Sequence, residues 1–253
     1  MEARILTFQS NPYTLSCMKW LSCLLAFCCL ASAQVKTDKG CPPPSDWAGL
    51  NVFGSDDAEI RPPGPNEKRV VLLGDDILAN AQFQDHGYIN RGIAGQTTPQ
   101  MLVRFRQDVI ALNPKVVVIE GGLNDIGGVA GPGTEGTITE NLASMADLAK
   151  VHGIRVVIAS LSPVCDCFTK QTGRRSVGRI AAINHGLQDF ARNRGAVYLN
   201  YYAALVEPRT RQMKKEFTSD GFLPNTAGYA VIQPLLEKAI AEALAKAPEG
   251  ESK

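Results

Sequence analysis

Two short runs, Val70-Val71-Leu72-Leu73 and Val116-Val117-Val118-Ile119, are apolar at every position and rich in β-branched residues. A strand with one wet face alternates polar and apolar side chains. Unbroken runs of this length belong to strands covered on both faces. Three further strands are expected at Tyr88–Ile93, Ile154–Ala159 and Ala196–Leu199. Helical patterns fill the gaps. Thr98 is expected to cap one helix, with Pro99 in its first turn and Leu102, Phe105, Val109 and Leu112 on one face before Asn113-Pro114. Thr137 and Glu140 have capping-box spacing for a second, which stripes Leu142, Met145 and Ala149 and stops at Gly153. Ile180, Ile183, Leu187 and Ala191 stripe a third, ending at Gly195. A last helix is expected from Thr226 to Ala247, kinked by Pro234. Strands alternating with such helices, joined by right-handed crossovers, predict an α/β chain: a three-layer α/β/α sandwich around a five-stranded parallel sheet.

Residues 69–247 form this domain, and 34–68, rich in Pro, Gly and Asp, read as an extended lead-in over its surface. Residues 1–33 read as an export signal. Lys19 is followed by the apolar stretch Leu21–Leu30 and the small residues Ala31-Ser32-Ala33. Met18 opens a more typical signal than Met1, so 1–17 read as an over-called start. An apolar run of about ten residues falls short of the roughly 20 that a span needs, so no stable membrane span is expected and the protein is assigned as secreted or periplasmic. Residues 248–253 read as a frayed tail. A net charge of +1 leaves no basic face for nucleic acid or an anionic membrane.

Of seven cysteines, Cys17, Cys23, Cys28 and Cys29 lie in or before the signal, leaving Cys41, Cys165 and Cys167. An odd count implies a free thiol or an intermolecular bridge, and Cys41 is one partner open to the Cys165/Cys167 pair. Three thiols without a nearby histidine do not make a metal site.

In parallel sheets of this type ligands bind beyond the carboxyl ends of the strands. There the sequence places Gly74-Asp75-Asp76, Asn90-Arg91-Gly92-Ile93-Ala94-Gly95, Gly122-Leu123-Asn124-Asp125 and, before the last helix, Asp220-Gly221-Phe222-Leu223-Pro224-Asn225. In order and spacing these blocks resemble those of the SGNH hydrolases, the GDSL-type esterases and lipases, and in particular the lysophospholipase- and acetylhydrolase-like members. The resemblance implies a flavodoxin-like, single-domain, cofactor-free acyl hydrolase. It puts Asp76 at the position of the nucleophilic serine and makes Gly95 and Asn124 the oxyanion donors. Asp220 takes the triad acid position, and Leu223 stands where the histidine base belongs. Leucine can neither activate a hydroxyl nor return a proton to a leaving group. The resemblance therefore implies a catalytically impaired scaffold that binds an acylated sugar, lipid or glycan. An active carboxylic-ester hydrolase with a different constellation is the alternative.

An Asp76 carboxylate between the Gly95 N–H and the Asn124 amide is expected to fill the hole as a built-in oxyanion mimic. Attack by Asp76 itself is chemically available, but its ester needs a base for hydrolysis. His152 and His185 lie on crossover helices facing solvent, His86 lies in the loop before the second strand, and Ser160 and Ser162 read as packing residues. Glu120 is expected to be solvated at the cleft mouth. With Asp75, Asp76, Asp125 and Asp220 it is one candidate set for a hard cation, the other reading being carboxylates that satisfy loop N–H groups. Lys170, Arg174, Arg175 and Arg179 read as a solvated face, with contact to an anionic group as the alternative. A receiver-like signalling domain would want an aspartate and a lysine where Glu120 and Asn200 stand.

Overall fold

The computed structural model describes residues 46–246, apart from 82, 84–86 and 132. The signal segment, Cys41, His86, Ala247 and the tail lie outside the described residues. In chain order the elements are helix α1 (Gly54–Glu59), strand β1 (Val70–Gly74), α2 (Asp76–Ala79), β2 (Ile89–Gly92), α3 (Thr98–Asp108), β3 (Val116–Ile119), α4 (Leu123–Ile126), α5 (Glu135–Val151), β4 (Arg155–Ala159), α6 (Val177–Arg194), β5 (Val197–Leu199), α7 (Tyr202–Leu205) and α8 (Thr226–Ala245). All five strands are parallel, in the order β2-β1-β3-β4-β5. The expected three-layer sandwich is the observed fold.

The side-chain period of a strand divides the core in two. Val71, Leu73, Val117, Ile119, Val156 and Ile158 face α3, α5 and α6. Val70, Leu72, Val116, Val118, Val157 and Ala159 face α8 and the α7 segment. Every residue of β1 and β3 is buried, which is why neither run tolerates a polar position. The chain leaves β1 for β2 on one side and returns to β3 on the other. That reversal opens a crevice above the carboxyl ends of β1 and β3.

Local details differ from the sequence expectations. Thr97, not Thr98, starts α3: Gln100 Oε1 accepts from the Thr97 N–H and hydroxyl, both at 2.8 Å. Met101 replaces Leu102 in the buried stripe, and Arg104 and Asp108 are buried with it. The regular helix ends at Asp108, and a 3-10 turn, Ile110–Leu112, carries the chain to Asn113. The lead-in is not extended throughout. It contains α1 and is pinned to α3's neighbourhood, where Gln96 Nε2 donates to Ala48 O (2.7 Å) and Gln107 Nε2 to Leu50 O (2.6 Å). Pro234 lies inside α8 without ending it. Cys165 and Cys167 are disulfide-bonded to each other, which leaves neither for Cys41.

Helix α5 begins one turn before the expected cap. Thr134 is the cap, its Oγ1 accepting from Thr137 N at 3.1 Å while Thr137 Oγ1 accepts from Thr134 N at 3.0 Å. Thr137 is thus the partner in the box, and Glu140 takes no part. Thr134→Ala is expected to lower stability by about 1 kcal/mol, seen as a lower urea midpoint at unchanged slope, and Glu140→Gln by no more than a few tenths. Equal effects of the two changes would refute this assignment.

Candidate active site

The crevice is built from four loop ends. Strand β1 finishes at Gly74, and Asp75 caps the short helix α2, its Oδ1 accepting from Ile77 N at 3.3 Å. Asp76 opens that helix half-buried and aims across the crevice. Gly95 follows β2 with φ +79°, a conformation that points its N–H back toward β1 and suits only glycine without strain. Gly122 (φ +126°) turns the chain out of β3 into α4, which carries Asn124.

These loops converge on one atom. Gly95 N donates to Asp76 Oδ2 at 2.8 Å, and Asn124 Nδ2 donates to the same oxygen at 2.6 Å. These are the two contacts expected from sequence for the Asp76 carboxylate. Asn124 is itself fixed. Its Nδ2 also donates to Gln96 O (2.9 Å), and its Oδ1 accepts from Arg175 Nη2 (3.4 Å). Arg175 donates to Leu123 O (3.1 Å) and lies 4.2 Å over the Phe222 ring. Burial lowers the Arg175 pKa, and the Asp76 carboxylate opposes that shift. Arg175 is therefore part of the site, not of a solvated face; it joins α4 to the loop before α8. Arg179 instead donates to Gly133 O at 2.6 Å, and Lys170 and Arg174 are exposed.

In that last loop Asp220 Oδ1 accepts from the N–H groups of Phe222 (2.7 Å) and Leu223 (2.8 Å) and from Thr218 Oγ1 (3.2 Å). Leu223 is half-buried. Asn225 caps α8 through Gly228 N (3.0 Å), and Tyr229 OH reaches Ile77 O at 2.7 Å, tying α8 to α2.

Glu120 does not reach the cleft mouth. It is 1% exposed, behind Asp76, where Tyr201 OH donates to its Oε1 at 3.2 Å. Its Oε2 finds no N–H or O–H donor among the described residues. Asp75, wholly buried, is its neighbour, and Asp75 Oδ2 also accepts from Gly122 N at 3.3 Å. Burial, reinforced by the charge of Asp76, pushes the Asp75 carboxyl up to about 7. Burial and then the Asp75 charge push Glu120 well above the usual range. A proton on Glu120 would give the unpartnered oxygen a donor of its own and remove a charge from the interior.

The remaining carboxylates are committed elsewhere. Asp125 accepts from Thr98 N (3.0 Å) and Thr98 Oγ1 (2.6 Å). Among the described residues no group of three or more His, Cys, Asp or Glu is arranged to hold a metal ion. His152 and His185 are exposed on α5's end and α6, and Ser160 and Ser162 are buried, with Ser160 Oγ accepting from Tyr202 N.

Sequence reasoning missed a support beneath the crevice. Arg104, fully buried, donates to Gly74 O (3.1 Å), Gln96 Oε1 (2.6 Å) and Asp108 (2.9 Å), and so braces both the end of β1 and the segment that Asn124 bonds. The only available signal was Arg104 and Asp108 at i, i+4 on a helix otherwise patterned for burial.

Residues 65–231 match the GDSL-like lipase/acylhydrolase family. Among solved structures, a candidate acylhydrolase of Bacteroides fragilis is 36% identical with a TM-score of 0.75, covering 79% of this chain and 99% of its own. A GDSL-like lipase of Bacteroides thetaiotaomicron is 33% identical with a TM-score of 0.73, covering 78% of this chain and 99% of its own. The uncharacterized lipoprotein YqeF of Bacillus subtilis is 32% identical over 97 residues, which span 36% of this chain and only 38% of that lipoprotein.

Proposed function

Because the chain belongs to the GDSL-like lipase/acylhydrolase family, we propose that it keeps the charge-stabilising half of an acyl-hydrolase site and lacks the half that attacks and moves protons. In this reading Asp76 replaces the serine and Leu223 the histidine, and the protein binds a lipid or glycan without turning it over. The basic, apolar and small-residue pattern of residues 19–33 supports an exported protein.

One observation carries the proposal: the two donors that could stabilise an oxyanion are both spent on Asp76 Oδ2. Oxyanion stabilisation is commonly the largest single contribution to acyl transfer, and it requires those donors to be free for the substrate.

The test is a short-chain acyl ester assay on purified protein, with a covalent serine-directed probe alongside. We expect hydrolysis at the uncatalysed rate and no label. Turnover that disappears in Asp76→Asn would overturn the proposal and make Asp76 a nucleophile.

A further inference from the structure

This inference rests on the reading above and narrows its ligand. Hydrolysis of an ester leaves an acid and an alcohol. A carboxylate lying in an oxyanion cradle is the acid half, and Asp76 supplies it from within the chain. Its Oδ2 takes both cradle donors. Its Oδ1 differs. No described residue donates to it and it is not fully buried, which leaves it open to a donor from outside the chain.

We propose that the site recognises the alcohol half of such an ester, an uncharged hydroxyl that donates to Asp76 Oδ1, and discriminates against the intact ester. An ester presents only acceptor oxygens at its reacting centre. The Gly95 N–H is occupied, and the Asn124 amide is spent on Asp76 and Gln96. No cradle donor is left for a carbonyl, and the outward oxygen repels one. A ligand carboxylate meets the same repulsion. An ammonium group could donate, but the Arg175 guanidinium, held on Asn124 Oδ1, already supplies the local cation and disfavours a second. A neutral hydroxyl suits what remains, and its bond to a carboxylate is of the charge-assisted kind, stronger than one between neutral groups.

Such a hydroxyl can come from a sugar or from the glycerol of a lipid, so the experiment has two arms. The folded protein is titrated with methyl glucoside, with a hexylglycerol ether and with hexyl acetate while the Gly95 amide resonance is followed. We expect a saturable shift with at least one alcohol and none with the ester. Asp76→Asn keeps an acceptor for the cradle but removes the charge, and should weaken alcohol binding about tenfold. Asp76→Ala empties the cradle and should exchange alcohol binding for acetate binding. Silence with both alcohols, an equal response to the ester, or unchanged affinity in Asp76→Asn each overturns the inference. Acetate released from the ester in the same samples would instead sink the reading of an impaired hydrolase, so the two failures are separable.

Discussion

The double variant Asp76→Ser with Leu223→His is expected to hydrolyse short acyl esters on the order of 10³-fold faster than the parent, while each single change stays near the parent rate. The two changes act on different shortages. Asp76→Ser frees the Gly95 N–H and Asn124 Nδ2 for a substrate oxyanion and adds a hydroxyl, but nothing described takes the hydroxyl proton. Leu223→His adds a base while the carboxylate still fills the cradle. Only together do they supply attack, proton transfer and charge stabilisation, and groups that act as a unit are far from additive. The frame is ready for the imidazole. Asp220 Oδ1 is taken by the loop N–H groups and by Thr218 Oγ1, which leaves Oδ2 to orient a histidine, and the Arg175–Phe222 stack ties this loop to Asn124. Labelling by the serine probe should appear with the double variant. A folded double variant that stays at the parent's rate would show that the crevice is not a latent acyl-hydrolase site.

The second large effect is on stability. Asp75 and Glu120 keep protons in the folded protein at a pH where they release them in the unfolded chain, because burial raises both pKa values. Where the folded state binds more protons than the unfolded state, stability falls as pH rises. The contribution is full below about pH 4, where both states are protonated. It declines through about pH 7, where Asp75 titrates when folded, and further above that as Glu120 follows. Glu120→Gln removes one of these ionisations, and its amide can donate to Asp75 while its oxygen accepts from Tyr201 OH. The variant should match the parent most closely below about pH 4 and gain stability relative to it steadily as pH rises toward 8. Urea denaturation across that range measures it. A difference that does not change with pH would mean that the buried pair is not protonated as described.

The fold was legible because its signal is local. A run such as Val116–Ile119 states its two-sided burial within four residues, and the stripes Leu142, Met145, Ala149 and Ile180, Ile183, Leu187, Ala191 state a helical face within three turns. Helix starts were less legible. Thr98 and Thr137 have the chemistry of caps, but each lies inside its helix; Thr98 serves Asp125, and Thr137 serves Thr134.

The blocks ending in Asp76, Gly95 and Asn124 could be set side by side from sequence because each follows a strand, and parallel strands end together. Sequence alone therefore determined the sandwich, the end of the sheet that bears the crevice, and the acidic and apolar residues at positions 76 and 223. Tertiary structure decided the rest. Arg175 meets Asn124 across 51 residues and Tyr201 meets Glu120 across 81, pairings that no local period encodes. Whether Glu120 faced water or the core depended on what α7's segment laid over it, and Tyr201 closes that side. A charge at a strand end is cheap in water and expensive inside a protein, so its meaning is fixed only when the surrounding elements are in place.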